Sequence, residues 1–230
     1  MYNNKKLLAV ITARIGSKRL VNKNILDLSG KPLIAWTIEE AKKSKYIDKL
    51  IISTDSEFIA KVAIEFNAEV PFIRPKELAS DTSDSISVLK HSIDFFKDEY
   101  DYIMLLQPTS PLRSSEDIDA AIEMLSQQTQ SIVSVTKTQH NPLWSNKLPE
   151  DLSMENFIQD EIKNKRSQDL PTYFRLNGSI YVSEIDYFLH NNGFFGHNTK
   201  AFIMSSENSI DIDTQLDFDF ASYLINKRKF

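Results

Sequence analysis

The chain has 230 residues, which suits one α/β domain with a modest appendage. Hydrophobic residues make up 41%, enough for a packed core, and 27 basic against 32 acidic residues give a net charge of −5 with no basic run, so nucleic acid is not an expected partner. The absence of cysteine excludes disulfides, thiolate metal sites and Cys nucleophiles.

A polar start runs into a continuous apolar stretch at residues 7–13. It reads as a strand buried on both faces of a parallel sheet. It is too short to span a membrane and lacks a signal-peptide cleavage pattern, so a cytoplasmic location without membrane attachment is expected. Residues 49–54, 69–73, 102–106 and 131–136 read as further strands of the same kind. Between them, Ile59, Val62, Ala63 and Phe66, and then Ile118, Ala121, Ile122 and Leu125, recur at helical spacing; Ser114 and Asp117 predict a capping box at the start of the second helix. The alternation predicts a doubly wound, mostly parallel sheet with crossover helices on both faces. The rhythm breaks over residues 137–175, which are polar and carry Pro142, Pro149 and Pro171. A structureless stretch of that length is unusual inside a compact domain. It reads as an arm or small subdomain that packs against a partner, with a long surface loop as the alternative. Strands at 179–182 and 201–204 and a closing helix at 216–227 follow, completing a single domain over 1–230 with an inserted arm.

The chain has five glycines, so each carries information. Gly16 lies in the segment Ala13-Arg14-Ile15-Gly16-Ser17-Lys18-Arg19, just past the first strand. Ligands bind beyond the carboxyl ends of strands in such sheets. Backbone N–H groups, Ser17, and the cations Arg14, Lys18, Arg19 and Lys23 suit a polyphosphate; an ordinary turn with solvated charges is the other reading. Neither a Walker A loop nor a dinucleotide fingerprint is present. Asp211 and Asp213 are two apart, so in an extended segment both project to one face. Beside a triphosphate such a pair suits Mg²⁺; alternatively, it caps the helix that follows. Gln107, after the strand at 102–106, is presented by a loop stiffened by Pro108 and Pro111. The hydroxyls after Arg74 and Arg74 itself suit a base, ribose or phosphate, or serve as turn chemistry. Asn177, Gly178 and Tyr181, with Phe194, Phe195 and Gly196, combine polar groups with apolar surface suited to an acylated sugar, although a Phe pair is equally a core feature. The four histidines show no metal-ligand spacing, and no Gly-x-Ser-x-Gly elbow is present.

Taken together, the segments Ala13-Arg14-x-Gly16-Ser17-Lys18, Lys23-Asn24, Gly30-Lys31-Pro32-Leu33, Ser53-Thr54-Asp55, Arg74-Pro75-x-x-Leu78-Ala79, Leu105-Leu106-Gln107-Pro108-Thr109-Ser110-Pro111-Leu112-Arg113, Gln168-Asp169-Leu170-Pro171, Arg175-x-Asn177-Gly178 and Ser209-Ile210-Asp211-Ile212-Asp213 resemble the acylneuraminate cytidylyltransferases, or CMP-sialic acid synthetases. They occur in the family's order and span nearly the whole chain. The resemblance implies a Rossmann-like nucleotidyltransferase domain, a protruding dimerisation arm at 137–175 and hence a homodimer, and a Mg²⁺-dependent reaction. In that reaction the anomeric hydroxyl of an acidic nine-carbon sugar attacks the α-phosphorus of CTP and pyrophosphate leaves. The resemblance assigns Ala13, Arg14, Gly16, Ser17, Lys23 and Asn24 to the triphosphate, and Arg74, Ser83 and Ser85 to the cytidine side. It assigns Gln107, Asn177, Tyr181, Phe194 and Phe195 to the sugar, with Lys147 and Arg166 acting from the partner's arm. Asp211 and Asp213 are the metal ligands, and Arg14, Lys23 and Asp211 the catalytic groups. The attacking hydroxyl loses its proton either to Asp211 or through the metal. N-acetylneuraminate is the expected sugar, with legionaminic or pseudaminic acid as alternatives. The chain departs from the family pattern at Ile15, Arg19, Val21 and Ser167. A sugar-1-phosphate nucleotidyltransferase fits less well because glycine is scarce in the first loop. A catalytically dead nucleotide-binding protein fits less well because the cations and the acidic pair are intact.

Overall fold

A computed structural model describes residues 1–17, 19–80 and 83–228. Lys18 of the phosphate-loop reading, and Asp81 and Thr82 after Arg74, lie outside the described residues.

Six strands form one sheet: β1 (Leu7–Thr12), β2 (Lys49–Ser53), β3 (Tyr102–Leu106), β4 (Ser131–Lys137), β5 (Phe174–Glu184) and β6 (Thr199–Met204), in the order β2-β1-β3-β5-β4-β6. The pairs β1–β2, β1–β3 and β4–β6 are parallel, whereas β5 runs antiparallel to both β3 and β4. The sheet is therefore mostly parallel, as the alternating pattern predicts, with one reversed strand inserted in its middle. Alternation along β1 sorts the core into two layers. Leu7, Ala9 and Ile11 pack with Ile34 and Ile38 of α1 (Leu33–Lys43), Ile59 and Ala63 of α2 (Glu57–Glu65), and Ile118 and Ile122 of α4 (Ser115–Glu123). Leu8 and Val10 face the other way, onto Leu89 of α3 (Ser85–Phe96), Phe188 of α5 (Ile185–His190) and Phe194. Each such aliphatic side chain contributes about 2 kcal/mol on full burial. The capping box of α4 is present: the Ser114 side chain accepts from the Asp117 N–H while Asp117 accepts from Ser114 N–H.

Three expectations change. Residues 69–73 form no strand; they make isolated parallel bridges at Ile51–Glu69 and Thr54–Ile73, because Pro71 between them has no N–H to give a ladder. Helices α1 and α3 were not signalled by periodicity. In α1 the buried set Leu33, Ile34, Ala35, Thr37, Ile38 and Ala41 covers more than one face, which blurs a 3.6-residue stripe. The segment read as an arm also starts and ends in strands: Lys137 pairs with Phe174, and Thr136 with Arg175. Between them, residues 138–173 hold three short 3-10 turns, Pro142–Trp144, Asp160–Ile162 and Ser167–Asp169. The base is closed by Thr138 N–H to Tyr173 O (2.9 Å) and by the Asn141 amide to Pro171 O (2.9 Å). Leu148, Leu152 and Met154 are exposed along it. Finally, α6 (Gln215–Arg228) seats Ala221 and Ile225 against Ile212, Leu33 and Leu112.

Candidate active site

The first, second and third strands end side by side, and the loops that leave them build a cleft. It measures about 470 Å³ and is lined by Thr12, Arg14, Ser17, Arg19, Lys23, Asn24, Gln107, Pro108, Thr109 and Asp213. The loop after β1 is held at both ends. Ala13 N–H continues the strand to Ser53 O (3.0 Å), Ile15 N–H donates to Asp55 Oδ1 (3.1 Å), and Ser17 N–H turns back to Ile15 O (2.8 Å). Asn24 is buried beneath the loop and donates to Arg14 O at 3.0 Å, while its Oδ1 has no partner. At Gly16 a Cβ would meet nothing within 4 Å, so no protein packing demands glycine there and the space beside the loop is open to a ligand.

The segment carrying Asp211 and Asp213 lies against this loop. Ile212 is fully buried under α6 and donates its N–H to Thr109 O (2.8 Å), so the two aspartates flank a core residue and leave on the opposite side. Helix α6 is capped by other groups. The Asp217 carboxylate accepts from Asp213 N–H (3.1 Å), Thr214 N–H (2.7 Å) and the Thr214 hydroxyl (2.7 Å). Burial works to raise the Asp217 pKa, and these Thr214 and backbone bonds outweigh it and hold it below the usual value. The capping alternative for the acidic pair therefore does not describe this helix start. Asp213 instead accepts from Arg19 Nη1 at 2.9 Å and from Lys23 Nζ at 3.1 Å, and Lys23 also reaches Ile212 O. Asp211 is mostly buried; burial pushes its pKa up, the Thr109 side chain pulls it down, and neighbouring Asp213 raises it further. Its Oδ1 is buried without a partner.

A second cleft of about 310 Å³ adjoins the first. Its walls are Ile86 and Ser85 of α3, Leu105, Tyr181, and the turn Asn191–Phe195, and it shares Gln107 with the first cleft. Gly178 explains how Gln107 comes to lie between the two. Its φ is +73°, and a Cβ there would stand 2.8 Å from Gln107 Oε1 and 3.8 Å from Asp211 Oδ2. Glycine in mid-strand thus leaves room for Gln107 over β5, with Asp211 close by, although Asp211 itself lines neither cleft. Behind the loop, fully buried Arg113 donates to Gln107 O (3.3 Å), Ser179 O (2.7 Å) and Thr37 Oγ1 (2.8 Å), bolting the loop to β5 and α1. Burial lowers its pKa to about 9, which leaves it charged at neutral pH. The Phe194–Phe195 turn is pinned as well: Ser131 Oγ and Thr199 Oγ1 each donate to Phe194 O at 2.7 Å. At Gly196 a Cβ would lie 2.3 Å from the Tyr187 hydroxyl, so this turn also requires glycine. Phe194 is buried in the core layer and Phe195 is 58% exposed, so the pair splits between the two roles open to it.

Several predicted residues stand elsewhere. Arg74 is buried, with its guanidinium spent on Ser53 Oγ (3.2 Å), Ser53 O and Leu78 O (3.4 Å); it ties the following loop to β2 and is not presented to a ligand. Asn177 is buried, accepting from Ser134 Oγ (2.6 Å) and Ser179 N–H (3.2 Å) and donating to Ser209 Oγ (2.9 Å) and Met204 Sδ (3.2 Å). Its amide is consumed in joining β4, β5 and the 205–209 turn, so it supports the site from below. Ala13 is fully buried and its N–H is used in the sheet. Ser83 donates to Glu77 O (2.6 Å), and Ser85 stands in the second cleft, not the first. Lys147 and Arg166 are exposed in the 138–173 segment, where Arg166 pairs with Asp169 (3.0 Å); neither lines the two clefts of its own chain. Arg113, Thr109 and Asp55 stand in segments quoted for the resemblance but were given no role there. Arg113 and Thr109 sit in the Gln107–Arg113 run, and a buried charge at its end was the available signal.

The family model described as Cytidylyltransferase matches residues 8–228. The chain belongs to the cytidylyltransferase family. It is 39% identical over 230 residues to the CMP-N,N'-diacetyllegionaminic acid synthase of Legionella pneumophila, covering 96% of each chain. It is 37% identical over 225 residues to the N-acylneuraminate cytidylyltransferase of Escherichia coli, covering 97% of this chain and 53% of that protein. Among solved structures, a CMP:2-keto-3-deoxy-manno-octonic acid synthetase complexed with CTP superposes with a TM-score of 0.73 over 97% of this chain and 99% of the other, at 17% identity, a likeness of fold. Among the described residues no helix is long and apolar enough to cross a membrane.

Proposed function

We propose that the protein transfers CMP from CTP to a nonulosonic acid, with release of pyrophosphate. The observation that carries this reading is the junction of two unlike clefts at Gln107, one polar and cationic and the other largely apolar, with Asp211 beside it across Gly178. In the first, Arg14, Ser17, Lys23 and the loop amides around Gly16 receive the triphosphate, and Asn24 braces them. In the second, Tyr181, Gln107, Ser85 and Phe195 hold the sugar. The sugar's C2 oxygen forms its bond to the α-phosphorus as the bond to the bridging oxygen of the pyrophosphate breaks, and the hydroxyl proton is taken up at the junction. Such a transfer needs positioning and charge stabilisation more than covalent help. Arg14 and Lys23 answer the negative charge that gathers on the phosphates. Asp211, whose pKa is raised by burial, is a fitting proton acceptor.

The acidic pair also suits Mg²⁺. Among the described residues no group of three or more His, Cys, Asp or Glu side chains could hold a metal alone, so phosphate oxygens and water must complete the shell. The unpartnered Asp211 Oδ1 and the open space at Gly16 fit that arrangement. A bound Mg²⁺ would neutralise phosphate charge and lower the pKa of the attacking hydroxyl. The residues to hold it are Asp211 and Asp213.

For the sugar, N-acetylneuraminate is the first reading. A diacetylated nonulosonic acid such as that named for the Legionella relative is the second, favoured by the apolar wall of Ile86, Leu105 and Phe195. The exposed Leu148, Leu152 and Met154 support a homodimer formed through residues 138–173, which would bring Lys147 and Arg166 to a partner's site. Light scattering showing an active monomer at assay concentration removes that part of the reading. CTP is a cytoplasmic metabolite, and the reaction is accordingly placed there. The test of the whole is pyrophosphate release with CTP, UTP, ATP and GTP against N-acetylneuraminate, legionaminic and pseudaminic acids. CTP with at least one of these acids should be fastest; faster release from another nucleotide with every sugar overturns the reading.

A further inference from the structure

In the empty cleft Asp213 is not open to a new ligand. Each of its carboxylate oxygens already accepts from a cation: Oδ2 from Arg19 Nη1 at 2.9 Å and Oδ1 from Lys23 Nζ at 3.1 Å. Both cations line the same cleft as Arg14 and Ser17. They differ in how they are held. The Lys23 side chain is 12% exposed and is anchored a second time on Ile212 O, whereas the Arg19 side chain is 71% exposed. Arg19 belongs to the loop after β1 and Asp213 to the segment before α6, so the pair adds an exposed tie between two walls that Lys23 already joins from within.

We propose that Arg19 is a positioning residue that shares Asp213 with Lys23 in the empty protein and passes to the phosphates of the nucleotide, so that Asp213 becomes available to a divalent cation only as the phosphates draw its two cations away. The inference rests on the proposed nucleotide and metal reading in one respect, that both ligands use this cleft. The argument is one of charge. A divalent cation arriving first at Asp213 must displace Arg19 and Lys23, leaving two positive charges beside it, with Lys23 keeping only Ile212 O. A triphosphate arriving first offers those cations several oxygens in place of one carboxylate, and removes the competitor for Asp213. Each ligand therefore prepares the site for the other, and the coupling is reciprocal. Because Arg19 and Asp213 are both well exposed, the bridge is weak enough to exchange; exposed ion pairs of this kind alter an equilibrium by about two- to fivefold.

Two binary measurements on the full-length protein test this. Mn²⁺, used as a paramagnetic probe, is titrated into CTP-free protein and free Mn²⁺ is followed by electron paramagnetic resonance. CTP is titrated by calorimetry with EDTA present. Arg19→Ala should tighten Mn²⁺ binding to the CTP-free protein by about two- to fivefold, since a competitor for Asp213 is gone, and should weaken metal-free CTP binding by a similar factor. Arg19→Lys should restore both toward the wild-type values, and Asp213→Asn should remove most of the Mn²⁺ binding while strengthening metal-free CTP binding. If Arg19→Ala weakens CTP binding but leaves Mn²⁺ binding unchanged, Arg19 serves the phosphates alone and the exchange is overturned; if neither moves, Arg19 is a surface charge and the proposal is again overturned. Wild-type protein that binds neither CTP nor Mn²⁺ would overturn the underlying functional reading as well, which separates the two failures.

Discussion

The two clefts that meet at Gln107 are built by different means. The first is lined by groups already engaged with one another: Lys23 and Arg19 with Asp213, and Asn24 with Arg14. The second is walled by Ile86, Leu105, Tyr181 and Phe195 on a turn pinned by Ser131 and Thr199. Charged groups held in place suit a reaction whose demand is charge stabilisation in the transition state. A rigid apolar wall with few polar groups suits selection among similar ligands, where each methyl-sized difference is worth a modest amount. Damage to the first cleft should therefore appear in turnover, and damage to the second in substrate preference.

The largest effect is expected at Asp211, beside Gln107 across Gly178. Asp211→Asn should lower turnover by about 10²–10³-fold, measured as pyrophosphate release at saturating CTP and sugar. Its stability should move the other way. The Asp211 pKa is raised in the folded protein, so its contribution is favourable below the unfolded carboxylate value and is lost as pH rises through the folded one. Asp211→Asn should accordingly gain stability relative to wild type as pH rises through that window, and should melt at or above the wild-type temperature at neutral pH.

Within the first cleft, Lys23→Ala and Arg14→Ala should each slow turnover by about a hundredfold while sugar KM changes little. Unchanged turnover in both would remove the phosphate assignment. In the second cleft, Phe195→Ala should raise sugar KM by about tenfold and alter the ranking of differently acylated sugars, with kcat nearly preserved. A large fall in kcat would erase the contrast between the clefts. The smallest effect on catalysis is expected beneath them: Asn177→Ala should cost about 2 kcal/mol of stability in a denaturant titration, because Ser134 and Ser209 lose buried partners, with sugar KM little changed.

The sheet and the edge that bears the site were legible in the sequence because their signals are local. The apolar run of β1, the all-buried β3 and the Ser114–Asp117 capping box are each contained within a few residues. The spacing of Asp211 and Asp213 around Ile212, a core residue, was legible as well, but only Asp213 lines the first cleft. What was not legible depends on distant partners. Arg74 finds Ser53 and Asn177 finds Ser134 and Ser209, so polar side chains that looked available to a ligand are consumed internally. Nothing near Arg74 or Asn177 in the chain announces those partners. The reversal of β5 is of the same kind: only its inner part reads as a buried strand, and its direction is set by the long excursion through residues 138–173 that returns it beside β4. Pro71 was the one local warning against a strand at 69–73, and it decided the outcome.

The most direct test of the division between the clefts is a single-turnover measurement of CMP–sugar formation, with CTP and sugar varied separately, on Asp211→Asn and Phe195→Ala. The account predicts that Asp211→Asn loses the rate of the chemical step and keeps its sugar dependence, whereas Phe195→Ala keeps the rate and shifts the sugar dependence. Equal losses of rate and sugar dependence in both variants would contradict it.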